Sequence, residues 1–245
     1  MRAWGMTDIG LLRHENQDTF AVEHGAKDGQ IIAVVCDGMG GAQAGQVASS
    51  IAVRTFVAEL KALLTDEMSV EQLRELSSFC VAKANAAVHT SAKEDAALHG
   101  MGTTLVSAVS CGDTLVICNV GDSRAYKISE SGIERITRDH SVVEGLIESG
   151  NITEEEARTH PNRNLITRAL GPDLNMTCDV YSAALQRGEL LLLCSDGLVV
   201  TMTDEEMFAT VRTAQTMTDA LERLLALSKE HGAPDNVTAV LLGDV

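Results

Sequence analysis

No stretch of this chain is apolar for long enough to cross a bilayer. The longest uninterrupted apolar run, residues 31–36, has six residues, against about 20 for a membrane-spanning helix. The first five residues, Met1-Arg2-Ala3-Trp4-Gly5, lack the apolar core of a secretory leader, so a cytoplasmic location is expected. Basic residues are scarce, 19 Lys and Arg against 35 Asp and Glu, for a net charge of −16. A surface of that sign repels phosphate backbones and anionic lipid, which excludes nucleic acid as a partner. None of the six cysteines (Cys36, Cys80, Cys111, Cys118, Cys178, Cys194) stands in a Cys-x-x-Cys pair. They read as small buried core residues in a reducing cell. There is neither a low-complexity linker nor a solenoid period, so residues 1–245 are expected to form one domain.

What is present is a set of acids at the ends of apolar runs. Ile31-Ile32-Ala33-Val34-Val35-Cys36 leads into Asp37-Gly38, and Leu190-Leu191-Leu192-Leu193-Cys194 leads through Ser195 into Asp196-Gly197. Short apolar runs bounded by glycine and polar residues predict buried strands. An acid at the mouth of a buried strand is costly unless a positive charge meets it. Asp18 stands just before Thr19-Phe20-Ala21-Val22, and Asp235 opens Asp235-Asn236-Val237-Thr238-Ala239-Val240. Four such acids, with few basic residues beside them, point to hard divalent cations, for which carboxylate oxygen is the natural ligand.

Between the acids the pattern alternates in kind. Ala48, Ile51, Ala52, Phe56, Leu60, Leu63 and Leu64 step by three or four and predict a helix. A second helix is expected from Ser69, with Gln72 completing a capping box and a stripe at Leu73, Leu76, Cys80, Ala84, Ala87 and Val88. Strands are expected at 104–110 and 114–120 around a turn at Cys111-Gly112-Asp113, and at 124–129 and 133–136 around Ser131-Gly132. Residues 139–171 read as a polar excursion with two short helices, the second capped by Thr153 and Glu156. Strands return at 178–183 and 189–194. Two helices capped at Thr203 and Thr216 follow, and a last strand at 236–242. Strands in meander order with helices arriving in pairs argue for antiparallel sheets covered by helical layers, an α+β fold.

The motifs, in order, are Arg13-His14-Glu15-Asn16-Gln17-Asp18, Asp37-Gly38-Met39-Gly40-Gly41, Gly121-Asp122-Ser123-Arg124, Ser195-Asp196-Gly197 and Asp235-Asn236. Taken together this set resembles the metal-dependent Ser/Thr protein phosphatases of the PPM, or 2C, type, and in particular their bacterial branch. The resemblance covers essentially the whole chain. It implies a four-layer α-β-β-α sandwich of two antiparallel sheets flanked by helix pairs, with two Mn2+ or Mg2+ ions in a cleft at the sheet edges. On the family pattern Asp37 bridges both metals, the carbonyl of Gly38 binds one, and Asp196 and Asp235 hold the other. Asp18 contributes through the surrounding network, and Asp122 with Asp196 holds a third, weaker ion. Arg13 matches the arginine that grips the substrate phosphate, and residues 139–171 match a mobile flap. The implied reaction is hydrolysis of phosphoserine and phosphothreonine on proteins by a hydroxide held between the metals, with no phosphoenzyme. The implied partners are phosphoproteins, including a Ser/Thr kinase and its substrates, met by a monomer.

Two features cut across that pattern. Relatives often carry a histidine after Asp-Gly or after the following glycines, and here those places hold Met39 and Ala42, neither of which can donate a proton. Cys118-x5-Arg124 also matches the signature of cysteine-dependent phosphatases. That chemistry needs a phosphate-cradling loop and a following helix, whereas Arg124-Ala125-Tyr126-Lys127-Ile128 reads as a strand. The remaining alternative is a catalytically weak regulator or phosphoprotein-binding module on the same fold. Such relatives usually lose metal acids, and here all the matched acids are kept. His140 and His160 stand in the excursion, either to steer substrate or as satisfied or solvated histidines.

Overall fold

A computed structural model of the chain describes residues 1–25, 30–41, 43–65 and 67–244. Among these residues the elements run β1 (Arg2–Asp8), β2 (Asp18–His24), β3 (Ile31–Met39), α1 (Ala44–Leu63), α2 (Val70–Glu94), β4 (Gly102–Thr103), β5 (Leu105–Cys111), β6 (Thr114–Val120), β7 (Arg124–Ile128) and β8 (Ile133–Arg135). The chain continues through α3 (Val142–Glu148), α4 (Glu154–Thr159), β9 (Asp179–Ala184), β10 (Leu190–Cys194), α5 (Asp196–Thr201), α6 (Asp204–Thr213), α7 (Met217–Glu230) and β11 (Val237–Gly243).

One sheet has the order β1-β11-β10-β7-β8. The other runs β2-β3-β5-β6-β9, with β4 paired to the end of β3. All the pairings are antiparallel. The pleat explains why the central strands look apolar throughout rather than alternating. In β3, Ile31, Ala33 and Val35 point between the sheets, while Ile32, Val34 and Cys36 point at α1 and α2. In β10, Leu191 and Leu193 face the other sheet, while Leu192 and Cys194 face the C-terminal helices. Antiparallel strands usually leave one face to water. Here helices cover both outer faces, giving three apolar seams and the α-β-β-α layering the sequence implied.

Local signals placed most element ends correctly. Ser69 with Gln72, Thr153 with Glu156, and Thr203 with Glu206 form complete capping boxes, and the Thr216 hydroxyl accepts from the Asp219 amide. The turn at Gly112-Asp113 joins β5 to β6, with Cys111 opposite Thr114. Helix α1 starts four residues before its apolar stripe suggested, because Ala44 and Gly45 are buried against the end of β3. The six-residue α5 was not anticipated from Ser195-Asp196-Gly197: it is too short to show a helical period, and its Asp-Gly start imitates a turn. The last strand is shifted by one residue, to 237–243. No helix among the described residues is long and apolar enough to cross a membrane.

The seam beneath α1 and α2 depends on Phe56, which is fully buried among Ile32, Val34 and the α2 stripe. Truncation there leaves a cavity that rigid sheets cannot close. Phe56→Ala is expected to lower unfolding free energy by about 3–5 kcal/mol. Denaturant titration measures this, and a loss under about 1 kcal/mol would mean that the seam is not packed as described.

Candidate metal centre

Register and chain direction bring the acids to one end of the sandwich. Asp18 opens β2 and pairs in register with Asp37 on β3. Asp196 is the first residue of α5, directly after β10, and Asp235 sits just ahead of β11, the neighbour of β10. Asp122 lies in the turn between β6 and β7. A cleft of about 270 Å3 opens there, lined by Arg13, Asp37, Gly38, Asp122, Asp196 and Asp235 among others. Six of the seven residues singled out from the sequence therefore share one cleft. The seventh, Asp18, lies behind it and is 7% exposed.

Both Asp-Gly pairs owe their glycine to a close approach of backbone. A Cβ at Gly38 would lie 2.0 Å from the carbonyl oxygen of Gly45, at the start of α1. A Cβ at Gly197 would lie 2.0 Å from the carbonyl oxygen of Asn236. Each glycine lets a neighbouring segment press against the residue after the acid, which fixes where the carboxylate stands.

Hydrogen bonds hold the acids from behind. Asp18 Oδ2 accepts from Ser195 Oγ and from Thr238 Oγ1, both at 2.7 Å. Ser195 occupies the N-cap position of α5, yet its hydroxyl serves Asp18 instead of capping the helix. The Asp37 amide donates to Thr104 Oγ1 (2.9 Å), and Thr104 in turn meets Ser123 Oγ at 2.7 Å. Asn236 staples the loop that carries Arg13: it accepts from the Gln17 amide and donates to the carbonyls of Ile9 and Glu15. Ser195, Thr238 and Thr104 were not singled out from the sequence. Hydroxyl residues in or beside strands carry no local signal of what they face.

The electrostatics of the cleft are unbalanced. Burial, and then the charges of Asp196 and Asp235, push the Asp18 carboxyl up to about 7. Burial, followed by Asp18, Asp196 and Asp122, raises Asp37 well above the carboxylate range. Burial and Asp196 do the same to Asp122, and burial and Asp235 raise Asp196. Asp37 and Asp196 each perturb the other's ionisation, and neighbouring carboxyls settle together only with a proton or a cation to offset their charge. Asp18 Oδ1 and Asp196 Oδ1 are buried without a hydrogen-bond partner. Orphaned anionic oxygens of this kind fit a bound cation. Among the described residues no three His, Cys, Asp or Glu side chains converge into a finished cage. The acids instead rim an open cleft, which suits Mg2+ or Mn2+, ions that keep several waters.

Arg13 is half exposed, and its Nη2 donates to Asp235 Oδ2 at 2.6 Å. The hydrogen bond it donates to Asp235, with help from the charges of Asp37 and Asp196, holds its pKa above the ordinary arginine value. Met39 lines the cleft and offers no proton, and Ala42 lies outside the described residues. The Cys-x5-Arg match is excluded as a phosphate loop. Cys118 is fully buried in β6, and Arg124 opens β7 with its guanidinium spent on Asp139 (Nε–Oδ1 2.9 Å, Nη2–Oδ2 2.7 Å). His140 is buried and hydrogen-bonded, whereas His160 stands at the end of α4 with its Nδ1 accepting from the Asn162 amide. Helices α3 and α4 of the excursion wall a second cavity of about 370 Å3, which meets the first at Asp122, Asn164 and Asp196.

Carboxyls whose pKa is raised by folding bind more protons folded than unfolded. Asp18 therefore withdraws stability as pH rises from its ordinary 3.8 through about 7. A cation removes that repulsion, but at low pH it must first displace protons. Millimolar Mn2+ is expected to raise the thermal midpoint more at about pH 8 than at about pH 5. A rise independent of pH, read by scanning fluorimetry on metal-stripped protein, would exclude these acids as the ligands.

The protein phosphatase 2C family profile matches residues 13–241. The serine/threonine phosphatase stp of Listeria monocytogenes is 37% identical over 245 residues, covering 99% of this chain and 95% of that protein. The crystal structure of the serine/threonine phosphatase Stp1 from Staphylococcus aureus superimposes with a TM-score of 0.94 at 36% identity, over 99% of this chain and 94% of that one. The catalytic domain of the serine/threonine protein phosphatase PstP, solved in complex with two manganese ions, gives 0.83 at 32% identity over 98% and 97%. A cleft of part-buried carboxylates that repel one another on this sandwich, with the family profile and relatives matched along nearly their whole length, makes the chain a member of the protein phosphatase 2C family of serine/threonine phosphatases.

Proposed function

We propose that the cleft hydrolyses phosphoserine and phosphothreonine monoesters on proteins, using two Mn2+ or Mg2+ ions. The observation that carries this reading is the pair of orphaned, buried oxygens on Asp18 and Asp196, within a set of acids that repel one another. Asp37 and the Gly38 carbonyl are assigned to one ion, and Asp37, Asp196 and Asp235 to the other. Asp122 joins Asp196 around a third, weaker ion. When bound, such an ion pair supplies an acidified water and neutralises charge on the phosphoryl oxygens.

The side chains do the rest. Arg13 offers a planar, two-pronged donor to the phosphate, a geometry lysine cannot copy. Its bond to Asp235 holds it over the cleft, and a cation held by Asp235 would compete for that bond. Asp18 does not reach the cleft lining; its charge, fixed by Ser195 and Thr238, favours cations in front of it. Met39 lines the cleft but has no proton to give, and no histidine lines it, so protonation of the leaving serine or threonine oxygen is assigned to water. The second cavity beside α3 and α4 is offered to residues flanking the phosphorylated one. We further assign the chain to one cytoplasmic domain, monomeric, with phosphoproteins and a Ser/Thr kinase as partners.

Metal-stripped protein should fail to hydrolyse p-nitrophenyl phosphate or a phosphothreonine peptide until millimolar Mn2+ or Mg2+ is restored. Cys118→Ser should leave that activity intact. Asp37→Asn and Asp196→Asn should each lower kcat by at least about a hundredfold with the fold preserved. Wild-type rates in either would sink the assignment. Arg13→Ala should raise KM by about tenfold, and an unchanged KM would remove Arg13 from phosphate binding.

A further inference from the structure

His140 is 7% exposed and touches three segments at once. Its backbone amide donates to the Gly121 carbonyl at 2.8 Å, and its Nδ1 accepts from the Gly121 amide at 3.1 Å. A ring that accepts at Nδ1 carries its proton on Nε2. That nitrogen lies 3.1 Å from Arg168 Nη1 and 3.3 Å from Asp179 Oδ2; since the guanidinium can only donate, the Nε2 proton is directed at Asp179, whose Oδ1 accepts from Arg168 Nη1 at 2.9 Å. The His140 carbonyl accepts from the Thr167 amide at 2.7 Å, and the next residue, Ser141, bridges to Ile166. The base of the 139–171 excursion is thereby closed on itself, and Ile166 and Asn164, just inside it, line the metal cleft. On the other side, Gly121 precedes Asp122 and Ser123, and Ser123 continues to Thr104 and the Asp37 amide.

We propose that His140 is a positioning residue that locks the Asp122 turn to the base of the excursion, by holding the Gly121 amide on one ring nitrogen and the Asp179–Arg168 pair on the other. The inference rests on the reading of Asp122 as a metal acid given above. A neutral imidazole suits the task because it presents one acceptor and one donor at a fixed separation on a rigid ring. An amide side chain of either length reaches only one of the two partners. Groups behind a metal ligand set the orientation of that ligand, and their loss weakens metal binding or activity about 10–100-fold. Histidine at this point makes the cleft acid and the cleft rim move together.

His140→Asn places an amide oxygen near Nδ1, and His140→Gln places an amide nitrogen near Nε2, so the pair separates the two contacts. Asp122→Ala serves as the reference. On metal-stripped protein, calorimetric titration with Mn2+ should show His140→Gln weakening the weak site by about tenfold, as Asp122→Ala does. His140→Asn should keep the wild-type isotherm but be cut faster by trypsin after Arg158 and Arg163 and show a raised KM for a phosphopeptide. Equal losses in both variants, tracking a common fall in thermal midpoint, would overturn the proposal and leave His140 a core residue. Should neither ring variant fold, Asp179→Ala, on a side chain 41% exposed, decides: faster tryptic cutting supports the coupling, and the wild-type rate overturns it. Wild-type protein without Mn2+-dependent turnover in the same preparation would count against the metal-site reading itself.

Discussion

Repulsion among buried carboxylates is the constraint on which the active end of this molecule depends. Asp18, Asp37, Asp122 and Asp196 are all pushed toward protonation by burial and by one another. A fold seeking stability alone would not keep such a set, since neutral residues of like size avoid the penalty altogether. On the proposed reading divalent cations are part of the arrangement, because the charge that destabilises the cleft by itself is the charge that would hold them. The cost is carried by the scaffold. Three apolar seams hold strands β2, β3, β10 and β11 in register, so the carboxylates cannot move apart to relieve their repulsion.

That rigidity has a local counterpart in the two Asp-Gly pairs. Gly38 and Gly197 each admit a carbonyl oxygen, from Gly45 and from Asn236, to a distance no side chain allows. The acid before each glycine is therefore fixed by backbone packing rather than by its own side-chain contacts. Ser195 gives up the cap of α5 to hold Asp18, a local stability loss of about 1 kcal/mol accepted in exchange for an ordered site.

The excursion over residues 139–171 relates differently to the core. Its helices α3 and α4 are short, and apart from Leu170 at its end, which is buried in the α1–α2 seam, its attachment relies on polar contacts: Arg124 and Arg135 on Asp139, Arg135 on Glu144, and His140 between Gly121 and Asp179. Polar attachment can rearrange at small cost in buried apolar area, whereas the helix pairs on the sheets cannot. A polar rim beside a rigid acidic centre suits an enzyme that acts on phosphoproteins.

Much of this was legible in the sequence because local rules acted alone. Capping boxes at Ser69, Thr153 and Thr203, the Gly112-Asp113 turn, and the apolar runs before Asp37 and Asp196 are decided by residues within a few positions of one another. The acids themselves stood out because a charge at the end of a buried run needs an explanation. What only the tertiary structure decided is which groups meet across the sheets. Asp18 withdraws behind the cleft onto Ser195 and Thr238, 177 and 220 positions away. Arg13 finds Asp235, and His140 joins the acid turn to the rim. Such contacts follow from strand order and register, which are set by the packing of whole sheets and leave no mark on the residues that happen to face one another.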